Sequence, residues 1–302
     1  MTSTLDDDVR SLMEQLQSAR PAWLDVRRPH VLIVATGSVA TVKVPELAVK
    51  LSAWADVKVV LTARGAHMFE RVAPSYGAEA WAALEAARAA STVVVVTDAD
   101  EWEGYADVRS DSVLHIELRR WADVALYAPC SCNTLTKLAH GLSDNLATCI
   151  ARAWDARKPM LVAPAANTAM WQHPTTARDL DALFARGVLI IPPVTKKLAC
   201  GEVGVGAMAS VETLCERLKV ALAATERCAA GSDGGGEWAR RGFVEWVVGG
   251  TAVAAEEMMQ PPSSPPNISI PAALGLGAVA LGVGVGLGLG LARACARRSD
   301  DV

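Results

Sequence analysis

The chain lacks an excess of charge of either sign. Its 29 Lys and Arg stand against 33 Asp and Glu in 302 residues, a net charge of -4. The basic residues are dispersed, which removes the electrostatic case for nucleic acid as a partner. It also lacks paired cysteines. Seven cysteines, an odd number, occur without C-x-x-C spacing or neighbouring histidines, so neither a disulfide framework nor a zinc site is indicated. No metal is expected, and a reducing compartment fits. The start of the chain, Met1 to Asp8, has neither an apolar core nor basic character, unlike a secretory signal or a transit peptide.

What is present is apolar sequence, 51% of the chain, enough to build a core. The run from His30 to Val39 closes in Thr-Gly-Ser, and Val44 to Ala55 then has helical spacing of apolar residues. The alternation recurs: strands are expected at 57–61, 92–97, 124–128, 159–163 and 188–191, and helices at 78–90, 134–146 and 175–186. Continuous Val/Ile/Leu strands alternating with helices predict a parallel sheet covered on both faces, an α/β doubly wound fold. Ligands then bind outside the carboxyl ends of the strands.

After about Thr225 the composition turns Gly-rich and then Pro-rich, which reads as a linker over 226–267. Ile268 to Ala292 carries no charged residue and is followed by Arg293, Arg297 and Arg298. That length suits a single transmembrane helix at the C-terminus. The glycines at 282, 284, 286, 288 and 290 weaken it, and a Gly/Leu low-complexity tail is the alternative. The expected organisation is a variable segment 1–28, a catalytic domain 29–225, the linker, the span 268–292 and a tail 293–302. The domain is expected in the cytoplasm, tethered through the tail to an organelle membrane.

Five segments carry chemistry-bearing residues. Gly37-Ser38-Val39 follows the first strand and opens a helix, where free N–H groups favour a phosphate; a plain chain-reversing turn is the alternative. Two Pro-to-Asn-Thr turns, Pro-x-x-x-Asn-Thr at 129–134 and Pro-x-x-Asn-Thr at 164–168, put Asn133 and Asn167 at strand ends. There an Asn can hydrogen-bond a flat heterocycle or a carboxylate, or cap the next helix. The stretch from Lys196 to Met208, with Gly201, Gly204 and Gly206, reads as a mobile loop carrying Cys200, suited to a flap; a buried cysteine is the bland option. His115 stands where an apolar strand is expected to meet a charged helix start. A histidine there suits proton transfer near neutrality or a structural bond to a backbone carbonyl.

Together these segments resemble the flavin-dependent cysteine decarboxylase family, specifically the phosphopantothenoylcysteine decarboxylases of coenzyme A biosynthesis. The resemblance spans roughly 30–222 and is most specific in Val113 to Asp123, Asp144 to Trp154, the Asn-Thr-x-Met-Trp stretch and the Ala-Cys-Gly loop. It implies a flavodoxin-like homotrimer with FMN at the subunit interface. Carried over, Gly37, Ser38, Val39, Thr62, Ala63, Arg64, Ser131, Cys132, Asn133, Thr134 and Ala165 hold FMN. His115 is the base, Asn167 grips the substrate carboxylate, Lys197, Ala199 and Met208 touch 4'-phosphopantothenoylcysteine, and Cys200 is the acid. Three positions depart from the family pattern: Cys132 and Ala166 stand where Ala and Met are usual, and Glu202 where Asp is. The family also holds non-catalytic subunits of mixed trimers and phosphatase inhibitors, which lose chemical residues and gain long acidic extensions; this chain shows neither. A membrane-tethered scaffold is a further alternative, and the Ala-Cys-Gly flap argues against the flavin prenyltransferase branch.

Overall fold

The structure, a computed structural model, describes residues 27–103, 105–109, 111–197 and 203–230, without the side chains of 197 and 226–230. All of these lie in the first of the two units into which the chain divides, Met1–Gln260 and Pro261–Val302.

The elements, in order, are β1 (His30–Ala35), a 3-10 turn (Val39–Lys43), α1 (Val44–Ser52), β2 (Asp56–Leu61), α2 (Ala63–Arg71), α3 (Ala73–Tyr76), α4 (Ala78–Ala89), β3 (Val93–Thr97) and a 3-10 turn (Ala99–Glu101). Then follow α5 (Leu114–Trp121), β4 (Val124–Cys130), α6 (Cys132–His140), α7 (Leu146–Arg152), β5 (Met160–Pro164), α8 (Thr168–Trp171), α9 (Pro174–Phe184), β6 (Leu189–Ile190), β7 (Val194–Lys197), β8 (Val203–Ala207) and α10 (Val211–Ala230).

The first six strands form one parallel sheet in the order β3-β2-β1-β4-β5-β6. Strand side chains alternate between faces, and here both faces are apolar. Val31, Ile33, Val59, Leu61 and Leu126 pack against Leu47 and Leu51 of α1, Leu84 of α4 and Leu214 and Leu218 of α10. Leu32, Val34, Tyr127 and Val162 pack on the opposite face against Leu118 of α5, Leu135 of α6, Ile150 of α7 and Leu183 of α9. That double burial is why the strands read as unbroken apolar runs. The expected flavodoxin-like, doubly wound architecture is present. Because β1 is flanked by β2 on one side and β4 on the other, the winding reverses there, where a ligand crevice opens.

Four local expectations need correction. The helix expected over 134–146 is two helices. Gly141 adopts a left-handed φ of 71° and ends α6; Asn145 and Thr148 then form a capping box that starts α7. Apolar periodicity continues across the break and hides it. No strand precedes His115: the described residues of 105–113 are turns and irregular chain, and His115 lies in the first turn of α5. The stretch expected as a mobile loop is in its described part an antiparallel hairpin, β7 with β8. The backbone of α10 continues to Ala230, inside the stretch expected as linker. The rest of that linker and the span 268–292 lie outside the described residues; among the described residues no helix is long and apolar enough to cross a membrane.

Candidate active site

Strands β1, β2, β4 and β5 end at one edge of the sheet, and each is followed by a turn whose side chain caps the next helix. Ser38 Oγ accepts from Ala40 N (3.3 Å), Thr62 Oγ1 from Gly65 N (3.3 Å), Ser131 Oγ from Thr134 N (3.4 Å) and Asn167 Oδ1 from Ala169 N (2.8 Å). Each cap satisfies one orphan amide and orients the others of that turn. Thr36 locks the turns together. Its hydroxyl donates to Pro129 O (2.9 Å) and accepts from Ser131 N (2.8 Å), while its carbonyl accepts from Ser38 N (2.7 Å) and from the Thr41 hydroxyl (2.8 Å). Ala165 N reaches Cys130 O (2.9 Å), and Ala166 N reaches Gly206 O (2.8 Å) on β8. The hairpin therefore closes one wall.

These turns border a cleft of about 810 Å³, within the range of small-molecule sites. Gly37, Ser38, Val39, Thr62, Ala63, Arg64, Ser131, Cys132, Asn133, Thr134, Ala165, Asn167 and Met208 all line it. Lys197 is in β7, its side chain outside the described residues, and Ala199 and Cys200 lie wholly outside them. His115 is not part of the lining. Of the two asparagines, Asn167 is a cap, whereas Asn133 sits exposed in the first turn of α6, which Ser131 caps.

Sequence reasoning missed several lining residues: Lys43, Asp98, Lys137, Asn145 and Lys196. Asn145 had a signal, the Asn-x-x-Thr of its capping box; the lysines had none. Asp98 is the most informative of these. Its carboxylate accepts from Leu146 N (3.0 Å) and from the Ala63 amide, tying the starts of α7 and α2 together, and burial raises its pKa. Lys43 is shifted down by burial and by Lys196 nearby. Lys137 is held by Asp144 at 2.5 Å, and this hydrogen bond lowers the Asp144 pKa. The cleft thus combines main-chain amides and cationic side chains with apolar surface from Val39, Ala63, Ala165 and Met208, a donor set for a flat ring bearing a phosphate. Cys132, half-buried at the start of α6, has its pKa raised by burial; it is a thiol wall of the cleft.

Two glycines show how closely the cradle is drawn. A Cβ at Gly37 would fall 2.6 Å from Arg64 Cβ, and one at Gly206, where φ is 141°, would fall 2.4 Å from Ala166 O. Only glycine lets the first and second turns, and the hairpin and fourth turn, approach this far. The other described glycine of the hairpin wall, Gly204, packs on Thr168, whose buried hydroxyl has no hydrogen-bond partner among the described residues.

The model of the family described as Flavoprotein matches residues 22–222. The chain belongs to the flavoprotein family. Among curated members, it is similar to phosphopantothenoylcysteine decarboxylase HAL3a of Glycine max, 46% identical over 64% of this chain and 84% of that protein. It is equally similar to phosphopantothenoylcysteine decarboxylase of Mus musculus, 46% identical over 65% of this chain and 88% of the relative. Within the flavoprotein family it therefore stands with the phosphopantothenoylcysteine decarboxylases. Two solved flavoproteins match with the same coverage of this chain, 64%. One is a Cys-to-Ser mutant of PPC decarboxylase complexed with pantothenoylaminoethenethiol, 44% identical over 98% of that chain, TM-score 0.57. The other is the FMN binding protein AtHal3, 45% identical over 96% of that chain, TM-score 0.53.

His115 has a different setting from the flavoprotein cleft. Its ring is partly exposed, and Nδ1 is hydrogen-bonded to Glu101, whose side chain is buried. The exposed Trp102 and Val108 lie on the segment between the two.

Proposed function

We propose that the chain catalyses FMN-dependent decarboxylation of 4'-phosphopantothenoylcysteine to 4'-phosphopantetheine, a step of coenzyme A biosynthesis. The observation that carries this is the convergence of four capped turns, the fourth capped by Asn167, on one cleft able to seat a flat, phosphorylated ring. Gly37 to Val39, Thr62 to Arg64, Ser131 to Thr134 and Ala165 hold FMN. When bound, FMN supplies the reversible hydride acceptor that converts the thiol-bearing carbon of the substrate to a thioaldehyde and later returns the hydride. Asn167 orients the carboxylate with its amide while its Oδ1 caps α8. His115 takes the substrate thiol proton as the adjacent carbon is oxidised. With C=S now β to the carboxylate, CO2 leaves and its electron pair is delocalised into an enethiolate. Cys200 gives a proton to the carbon that lost CO2, and the net reaction involves no redox change. Lys197, Ala199 and Met208 flank the substrate, and the hairpin keeps water out. The pantothenoylaminoethenethiol bound by the related PPC decarboxylase is an enethiol, the species this route requires.

Because His115 is outside the cleft of its own chain, we place it in the site of another copy, in a homotrimer. The exposed Trp102 and Val108 near it suit an interface. The domain is assigned to the cytoplasm, with 268–292 as a tether; equal membrane fractions for the full chain and one stopped before Ile268 would refute that tether. For the activity, the purified full chain is expected to be yellow and to release CO2 from phosphopantothenoylcysteine. A colourless protein, or a yellow one inert toward this substrate, contradicts the assignment.

A further inference from the structure

The 3-10 turn that follows β3 and the residue before it carry three acidic side chains with different tasks, Asp98, Asp100 and Glu101. Asp98 accepts from the amides of Leu146 and Ala63, and Asp100 accepts from Thr97 N (2.5 Å) and the Thr97 hydroxyl (2.8 Å). Both therefore serve the main chain around them. Glu101 does not. It closes the 3-10 turn, is only 6% exposed, and reaches across to α5, where Oε1 meets Nδ1 of His115. A carboxylate is buried at a cost unless it is paired, and the partner here is the residue assigned above as the base.

We infer that Glu101 is the positioning residue of His115, fixing the ring and keeping its proton on Nδ1 so that Nε2 presents the lone pair that takes the substrate proton. The inference rests on the decarboxylase reading for the role of His115, and on the geometry alone for the tautomer. An ionised carboxylate only accepts, so Nδ1 must donate to it. In the neutral ring Nε2 is then the acceptor. When Nε2 gains the proton, the imidazolium lies against the Glu101 carboxylate, and no rearrangement is needed at the moment of transfer. Glu101 itself is neither proton donor nor acceptor in the reaction and touches no substrate. Cys149 of α7 completes the surroundings, with its Sγ and one ligand atom of each of the other two all within 4.8 Å of one another. Its thiol donates to Ser143 O (3.5 Å), and burial raises its pKa. It is thus engaged as a thiol elsewhere while Nδ1 is served by Glu101.

The test uses the full chain labelled with 15N histidine, each resonance assigned by single substitution of the five histidines. The wild-type His115 ring is expected to show the Nδ1–H tautomer at a pH where it is neutral. Glu101→Gln, whose amide can donate to Nδ1, should populate the Nε2–H form. An Nε2–H ring in the wild type, or a metal bound at Nδ1, overturns the inference whether or not the protein decarboxylates anything. In turnover, Glu101→Gln should lower kcat by about 10²-fold with KM nearly unchanged and the flavin spectrum retained, and Glu101→Asp should recover part of the loss. If Glu101→Gln fails to fold, the wild-type tautomer and the Glu101→Asp rates still decide. A wild-type kcat in Glu101→Gln, or equal losses in kcat and in bound flavin, overturns the positioning role. Inert wild-type protein with an Nδ1–H ring would instead remove the decarboxylase reading and leave the pair intact.

Discussion

The cleft and the Glu101–His115 pair lie on the same protein and are built from different materials. In the cleft the contacts are mainly main-chain: amides freed at helix starts, carbonyls of Thr36, Cys130 and Gly206, and glycines that let the turns touch. Side-chain identity matters there chiefly where it caps, so Cys132 and Ala166 can depart from the family pattern while the turns around them keep their bonds. The pair depends instead on one contact between two side chains from different elements. A site of the first kind tolerates substitution and demands exact backbone; one of the second kind has no redundancy.

That contrast orders the expected effects. His115→Asn should show the largest, a fall in CO2 release of at least about 10²–10⁴-fold, with the flavin spectrum intact because His115 does not line the cleft; loss of flavin in this variant would erase the distinction between the two regions. Gly206→Ala comes next. It forces a side chain into a left-handed backbone against Ala166 O and should destabilise by about 1–3 kcal/mol while weakening substrate binding, measured as KM and Tm together. Tyr127→Phe removes the bond from its buried hydroxyl to Ala147 O (2.7 Å), which anchors α7 beneath Asn145. About 1–3 kcal/mol of stability should go, with kcat little changed.

The smallest effect is expected far from both regions, at Lys50 and Glu212, which link α1 to α10. The Lys50 hydrogen bond holds Glu212 at about 2, below the usual carboxylate value. A depressed carboxylate stabilises the fold above its unfolded value and loses that contribution as pH falls through the folded one, so the window is roughly pH 4.5 down to 2. Both side chains are more than one-third exposed, and screening keeps the effect of Glu212→Gln under about 1 kcal/mol at neutral pH. Acid titration of Tm for the two proteins measures it.

The same contrast explains what could be read from sequence. The strands were legible because burial on both faces leaves unbroken apolar runs, and the turns because a small residue, Ser, Thr or Asn at a strand end is itself the signal of a cap. The break at Gly141 was lost because α6 and α7 both contribute apolar residues, Leu135, Leu138, Leu146 and Ile150, to one cluster, and the spacing runs across the gap. The hairpin was lost because Gly204 and Gly206, which seat it on Thr168 and Ala166, look in sequence like loop glycines. His115 could be singled out, and the family resemblance gave it a role, but neither Glu101 nor the position of the ring outside the cleft has a local pattern. A contact between side chains on separate elements leaves no period to detect.

If cleft and histidine come from different copies, two inactive chains should repair each other. The most direct measurement co-assembles His115→Asn with Asn167→Asp. The first has a sound cleft and no base, and the second keeps the α8 cap but repels the substrate carboxylate. Each alone is expected to be inactive; random mixing should restore up to about a quarter of the wild-type CO2 release per site. No recovery from a mixture shown to contain both chains in one oligomer would contradict a site shared between copies.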